Sequence, residues 1–381
     1  MKLQKICIIG EGLAGLTTAA ILSKQNVNID FYSGSKKKIL TLDKRTTAIS
    51  ESNFQYIKKN LNLNRNSFFW ACKKINLFFE DKTKIVNFLN FNEKNKNFMY
   101  IFQNKDLKKK LKKIISLKKN IKSISKNVEG INSDDNSITL NKKKFSYDLI
   151  ILSIGSVSKF YSRIESGRSI KKNYEEMAMT ATIKHKSKIQ NASQFFLKEG
   201  PLAILPFKKN TFSTVWSLDS SYFKKNEINL KKILLKKLKK LLATNTIKNI
   251  ENVQSFPINL NLKTKYYRKN ILILGDGLHS VHPLAGQGFN LVLRDIKKLD
   301  ELMFKISSLG LLYKESLLLK EFYNARKPEN NLFGLGINLT NLFFKDKKYF
   351  SIFKKKILNN IKNFDFLKKI TQKIADRGIS F

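Results

Sequence analysis

Lys5-Ile6-Cys7-Ile8-Ile9-Gly10-Glu11-Gly12-Leu13-Ala14-Gly15 runs a short apolar stretch into a glycine turn and opens a segment rich in Ala and Leu. An apolar run that ends in glycine reads as a buried parallel strand. Leu13 to Lys24 then reads as a helix, and Asn28 to Tyr32 as a second strand. Strand, turn, helix and strand within about 30 residues make a βαβ unit. In that setting Gly10 permits the tight turn, Gly12 lets backbone approach a pyrophosphate, and Gly15 lets the helix lie close to the strand. The helix N-terminus faces the phosphates with its free N–H groups and partial positive charge. A dinucleotide site is the expectation. Its usual completion is an acid ending the second strand, but Ser33 holds that place and Asp30 lies within the strand. Ser33 offers the ribose one hydrogen bond, weaker than a charged acceptor would give.

Working outward, Ser50 to Asn60 and Lys105 to Leu117 carry helical periodicity, and Lys74 to Phe91 alternates like strands. Asp148 to Leu152 is another short buried strand. Met177 to Leu218 is β-like, punctuated by Gly200-Pro201 and Pro206. Leu230 to Leu242 is an amphipathic basic helix with Leu230, Ile233, Leu234, Leu238, Leu241 and Leu242 on one face. Such a helix either packs that face on its own domain or lies on a membrane; the first reading is preferred. Asn270 to Leu274 is a strand, a helix starts near Gly288, and helices follow from Leu311.

The second decisive stretch is Gly275-Asp276-Gly277-Leu278-His279-Ser280-Val281-His282-Pro283-Leu284-Ala285-Gly286-Gln287-Gly288-Phe289-Asn290-Leu291. It joins an acid at a strand end to a glycine turn and a helix start. Asp276 can bind hydroxyls of a ribityl chain. The N–H groups around Gly286, Gln287, Gly288, Phe289 and Asn290 can hold the flavin edge where negative charge gathers on reduction. His279 and His282 stand three apart, but no further His or Cys lies near them in sequence, so a metal is not expected.

These residues resemble the class A FAD-dependent monooxygenases, specifically the ubiquinone-biosynthesis hydroxylases, over nearly the whole chain. Asp43-Lys44-Arg45-Thr46-Thr47-Ala48-Ile49 is similar to that family's D-x-R-x-x-A-[IL] segment, which puts Arg45 near the cofactor. Tyr100-Ile101-Phe102-Gln103-Asn104 resembles the segment in which Gln103 would contact FAD. Gly200-Pro201-Leu202-Ala203-Ile204-Leu205-Pro206 and Val215-Trp216 resemble substrate-domain elements, and Tyr323 and Arg326 resemble a Y-x-x-x-R region one residue short. The family also carries a D-G-x-x-S pattern associated with FAD and reduced nicotinamide. Here Ile154 stands where its acid belongs, with Gly155 and Ser158 retained. That weighs against direct NAD(P)H reduction and leaves a reduced ferredoxin open as electron donor.

The resemblance implies an α/β fold: a discontinuous Rossmann-like FAD-binding domain, an inserted β-rich substrate domain and a helical C-terminal region. The expected division begins with a first FAD-binding segment over 1–68, substrate-domain strands over 69–98 and a second FAD-binding segment over 99–172. The substrate domain over 173–265, a third FAD-binding segment over 266–335 and C-terminal helices over 336–381 complete it. The implied reaction is FAD-dependent hydroxylation of a polyprenyl phenol or quinol by molecular oxygen through a flavin C4a-hydroperoxide. The catalytic side chains are unassigned. Phe195, Phe196, Leu202, Ile204 and Phe207 would either line a prenyl channel or form ordinary β-domain core. Two other readings stay open: a non-catalytic member of a ubiquinone-biosynthesis complex, and another flavin oxidoreductase such as a prenyl reductase.

Composition bounds the partners. Net charge is +44 over 381 residues, almost all of it Lys, because Arg occurs only at 45, 65, 163, 168, 268, 294, 326 and 377. Lysines scattered through every segment fit compositional drift better than a phosphate-reading surface, for which Arg is suited. No basic stripe is interleaved with aromatics, so nucleic acid is not an expected partner. The two cysteines, Cys7 and Cys72, form no metal or disulfide pattern. The basic, apolar start superficially looks like a signal peptide, but Gly10-Glu11-Gly12 interrupts the apolar run. The expectation is a cytoplasmic protein, with peripheral contact at the inner face of a membrane left open.

Overall fold

A computed structural model describes residues 3–35, 43–63, 68–81, 84–92, 96–164, 169–283, 286, 288–345 and 376. The apolar runs at 4–9, 27–32, 149–152 and 271–273 assemble as neighbours. They form a six-stranded sheet in the order Tyr267–Arg268, Ile271–Ile273, Leu149–Leu152, Gln4–Ile9, Val27–Tyr32, Ile121–Ile124. All pairs are parallel except the short edge strand Tyr267–Arg268. Parallel strands are covered on both faces, which is why Ile6, Cys7, Ile8, Ile150, Ile151 and Leu272 are wholly buried. Helix Leu13–Leu22 follows the first strand, and helix Gly288–Ser308 follows the last. The sheet draws strands from three separate stretches of the chain, as a discontinuous nucleotide-binding sheet does.

The second large sheet has eight strands, ordered His279–Ser280, Ile247–Leu262, Ile170–His185, Thr211–Asp219, Gly200–Lys208, Ala192–Leu197, Lys74–Asp81, Lys84–Asn92. Its two faces differ. One carries Met179, Ile183, Phe195, Leu202, Ile204, Phe212 and Trp216 under helix Leu230–Leu241. The other carries Ala192, Ala203, Leu205 and Phe207 against Ala48, Met99 and Ile101. The latter belong to a small sheet of Thr46–Ser50, Met99–Gln103 and Trp70–Cys72. Phe195, Leu202 and Ile204 are thus closed core, and the channel reading fails for them: alternation put them on the face that the helix covers. Phe196 and Phe207 lie on the opposite face.

Helix Leu230–Leu241 buries Leu230, Leu234 and Leu238 on that sheet and turns Lys231, Lys232, Lys236, Lys239 and Lys240 outward. Its apolar stripe is spent inside the domain. No described helix is long and apolar enough to cross a membrane. Among the strands the periodicity did not reveal are Ile121–Ile124 and Ile247–Leu262, the latter 16 residues long.

A buried polar network ties the last helices to the rest. The Asp295 carboxylate, fully buried, meets His279 Nε2 at 2.6 Å and accepts from Arg326 Nε at 2.7 Å and Asn330 Nδ2 at 3.1 Å. Arg326 also pairs with Glu329, and Arg294 lies 3.5 Å from the same glutamate. Burial alone raises the Asp295 carboxyl, but Arg326 and His279 outweigh it and hold the group below the usual carboxylate range.

Two stability outcomes follow. Leu238→Ala, at a wholly buried position, costs about 2–5 kcal/mol in urea unfolding, whereas Leu309→Ala, 62% exposed, changes stability by under about 0.5 kcal/mol. Asp295→Asn costs about 3–5 kcal/mol, because it removes the carboxylate charge that buried Arg326 and His279 both face and leaves Glu329 alone to answer Arg326. A depressed folded-state pKa stabilises above the unfolded value near ~3.9 and loses that contribution as pH falls toward the folded value. Urea titrations between neutral pH and pH ~2 should therefore show a steeper acid loss in the natural protein than in Asp295→Asn.

Candidate functional site

The four central strands end in register. Ile9 pairs with Tyr32 on one side and Leu152 on the other, and Leu152 pairs with Ile273. The residues that follow, Gly10, Ser33, Ser153 and Gly275 with Asp276, therefore share one edge. Open α/β sheets bind ligands at that carboxyl edge.

At the first strand, a Cβ on Gly10 would collide with the Ser153 carbonyl, and one on Gly15 with the Gly10 carbonyl. Gly10 adopts φ 124°, which favours glycine. Gly12 is different: nothing lies within 4 Å of where its Cβ would stand. It is the N-cap of helix Leu13–Leu22, supplies no side-chain cap, and is followed by no acid in the first turn. Neither a side-chain cap nor an acid of the first turn answers the helix's opening N–H groups, and the adjacent Glu11 is paired with Lys108 and Lys112. Ser153, 5% exposed, has a buried Oγ with no hydrogen-bond partner among the described residues, beside these glycines. Sequence reasoning passed over Ser153; its place directly after a buried strand was the available signal.

At the second strand, Ser33 Oγ lies 3.4 Å from Ser125 Oγ. Asp30 is committed elsewhere, to Lys5 at 2.9 Å and to the Tyr147 hydroxyl at 2.8 Å. No acid stands at this strand's end.

The two glycine motifs converge. A Cβ on Gly275 would stand 2.8 Å from the Ala14 Cβ, so the turn before Asp276 touches the helix of the first motif. Asp276 is exposed by surface area yet crowded by protein, as a group on a crevice wall is. That crowding pushes its carboxyl above the ordinary range, against the lowering influence of His279 and Arg45. A carboxylate so placed gains from hydroxyl donors entering the crevice.

Further along, Gly286 adopts φ 64° and lies against Ala48, 3.2 Å from a built Cβ to the Ala48 Cβ. Asn290 is a staple: its Oδ1 accepts from Ser50 N and Asn53 Nδ2, both at 2.8 Å, and its Nδ2 donates to Ala48 O at 3.1 Å. Its amide is used up inside the protein, so only its backbone N–H is left to offer a ligand. Gly288 begins the helix, and Phe289 packs on the nucleotide-sheet core. Gln287, Leu284 and Ala285 lie outside the described residues.

Arg45 is held by Asp43, Nε to Oδ1 and Nη2 to Oδ2 both at 2.8 Å, and stacks over Phe256 of the large sheet at 5.7 Å. It is close enough to Asp276 to lower that carboxyl. Gln103, 5% exposed, donates to the Lys44 carbonyl at 3.4 Å and so steadies the loop that carries Arg45. The edge that meets the glycine motifs thus also meets Arg45. Ile154 is half-buried on the core at the same edge, followed by Gly155 at φ 82°, whose carbonyl accepts from the Tyr161 hydroxyl at 2.5 Å.

The two histidines are engaged by carboxylates. His279 meets Asp295, and His282, wholly buried, meets Glu176 Oε2 at 2.8 Å. These acids come from residues 16 and 106 positions away, which local spacing could not reveal.

The arrangement fits a flavin adenine dinucleotide: open glycine-lined backbone at one end, a carboxylate on the crevice wall, and a cation between. Comparison with known proteins agrees. The squalene epoxidase family model matches residues 220–371. The ubiquinone hydroxylase UbiL of Rhodospirillum rubrum is 29% identical over 42% of this chain and 38% of its own length. The ubiquinone biosynthesis monooxygenase COQ6 of Dictyostelium discoideum is 27% identical over 59% of this chain and 56% of its own. The chain thus spans only 38% of the first relative's length and 56% of the second's. The fold of p-nitrophenol 4-monooxygenase PnpA from Pseudomonas putida superposes with a TM-score of 0.78 at 13% identity, covering 99% of both chains. The chain is thus similar over part of its length to ubiquinone-biosynthesis hydroxylases, and it shares the fold of p-nitrophenol 4-monooxygenase.

Proposed function

We propose that the chain binds FAD across the carboxyl edge of its parallel sheet and hydroxylates the aromatic ring of a polyprenylated phenol or quinol in ubiquinone biosynthesis. The observation that carries this reading is the contact between the Gly10–Gly15 turn and the segment opening at Asp276. Gly10, Gly12 and Gly15 would let backbone N–H groups meet the pyrophosphate, and Ser33 would meet the adenosine ribose. Arg45 offsets phosphate or flavin charge, and Gln103 holds its loop. Asp276 would accept from ribityl hydroxyls, while backbone N–H groups at Gly286, Gly288, Phe289 and Asn290 would hold the flavin ring. When bound and reduced, FAD supplies the oxygen-transfer chemistry. The protein holds the substrate ring against it and keeps water out.

Two electron donors fit, NAD(P)H and a reduced ferredoxin. Ile154 cannot hydrogen-bond a ribose, which favours the protein donor; anaerobic reduction with each donor in turn decides between them. A prenylated substrate also brings the enzyme to a membrane surface, where the outward lysines of helix Leu230–Leu241 suit acidic lipid.

Asp276→Ala should weaken FAD binding about 10- to 100-fold, the worth of a charged hydrogen bond, in titrations of apoprotein followed by flavin fluorescence. Unchanged affinity would remove Asp276 from the site. Loaded protein should add one oxygen atom to a prenylphenol only when oxygen and a reductant are both present. A saturated prenyl bond in place of that oxygen would reassign the reaction.

A further inference from the structure

The strand Ala192–Leu197 alternates between two surroundings. Phe195 and Leu197 face the core under helix Leu230–Leu241. Ala192 and Phe196 face the other way, into two separate apolar clusters. Gln194 lies between them on this second face, where the clusters meet. Its register partners there are Ala203 and Leu77, both apolar. The strand is internal to the sheet, so the amide has no open edge to reach. Gln194 is 6% exposed, and no hydrogen bond among the described residues involves its side chain.

The amide has no protein partner among the described residues and is not one of the atoms fully closed off from the surface, so it is left to meet water or a ligand on an otherwise apolar face. A ligand that reaches this face would find the amide available. What borders it fixes the kind of visitor. On one side the cluster includes Ala48, the residue against which Gly286 rests. On the other it includes Phe88, Phe91 and Ile337. One amide in an apolar seam that begins beside the Gly286 turn suits a ring bearing an oxygen substituent and a hydrocarbon tail. The amide offers both a donor and an acceptor, so phenol, quinol and quinone oxygens all fit.

We infer that Gln194 is the specificity contact for the substrate ring: its amide hydrogen-bonds a ring oxygen while the seam takes the hydrocarbon. This rests on the function proposed above. It adds a residue that neither glycine motif contains.

The test uses FAD-loaded protein and two probes, 2-prenylphenol and prenylbenzene, which differ only by the ring hydroxyl. Binding is read by equilibrium dialysis, and stability without probe by thermal unfolding. The natural protein should prefer the phenol about five- to tenfold, as one hydrogen bond allows. Gln194→Leu should abolish that preference while leaving the unfolding temperature unchanged or higher. Gln194→Glu, which keeps the acceptor, should retain some of it. If Gln194→Leu keeps the preference, or unfolds at a clearly lower temperature, the amide has another role and the inference falls alone. Failure of the natural protein to bind either probe would overturn the inference together with the proposed substrate class.

Discussion

Everything at the candidate site depends on four strand ends that stop level with one another: Ile9, Tyr32, Leu152 and Ile273. Parallel strands cannot be joined by tight hairpins, so each connection must cross over the sheet and return. All the turns that leave the strands therefore gather along one edge. Burial on both faces demands apolar strands, which leaves the polar and flexible residues to those turns. Gly10 and Gly15 then let backbone pass where a methyl group would collide with a carbonyl. The third stretch, arriving after a long excursion through the eight-stranded sheet, must place Ile271–Ile273 beside Leu149–Leu152 for Asp276 to reach the edge at all.

The segment carrying Asp276 also belongs to the second sheet. Two residues after the Gly275–Gly277 turn, His279–Ser280 pairs with Asn261 and Leu262. The two histidines then fasten opposite sides. His279 meets Asp295 on the helix behind the nucleotide sheet, and His282 meets Glu176 on a strand of the large sheet. Buried carboxylates are costly to desolvate, and a lone one would not persist. Here Arg326 answers Asp295, and the backbone irregularity around Glu175, at φ 53°, delivers Glu176 to His282. The segment from Gly275 to His282 is thereby held from both directions.

Much of this was legible locally. The first βαβ unit, the acid-and-glycine turn and the basic amphipathic helix each declare themselves within about 30 residues, because turn chemistry and periodicity are short-range. Strand Ile247–Leu262 was hidden because Lys248, Asn249, Glu251, Asn252 and Gln254 interrupt its apolar residues, and pairing on both sides sustains it instead. The role of Arg326 was equally out of reach, since its acid lies 31 positions away. Alternation shows that Phe195, Leu202 and Ile204 share a face. It cannot say whether that face meets a helix or a ligand.

Charge tells the same story from the outside. Of the cationic residues described, only Lys263, Arg294 and Arg326 are buried, and the last two belong to the carboxylate network. Arg is used where a planar, forked donor must meet acids in the interior; Lys covers the surface, where a flexible stem keeps its charge in water. The +44 balance is therefore a property of the surface and constrains the interior little. Surface lysines can accumulate without touching the site, whereas a change at the strand-end edge alters what the site can hold. Ser33 in place of an acid would give a ribose a weaker hold, and an Ile154 side chain could give none. Both departures fall on groups that would recognise a nucleotide sugar, and neither touches the turn at Asp276.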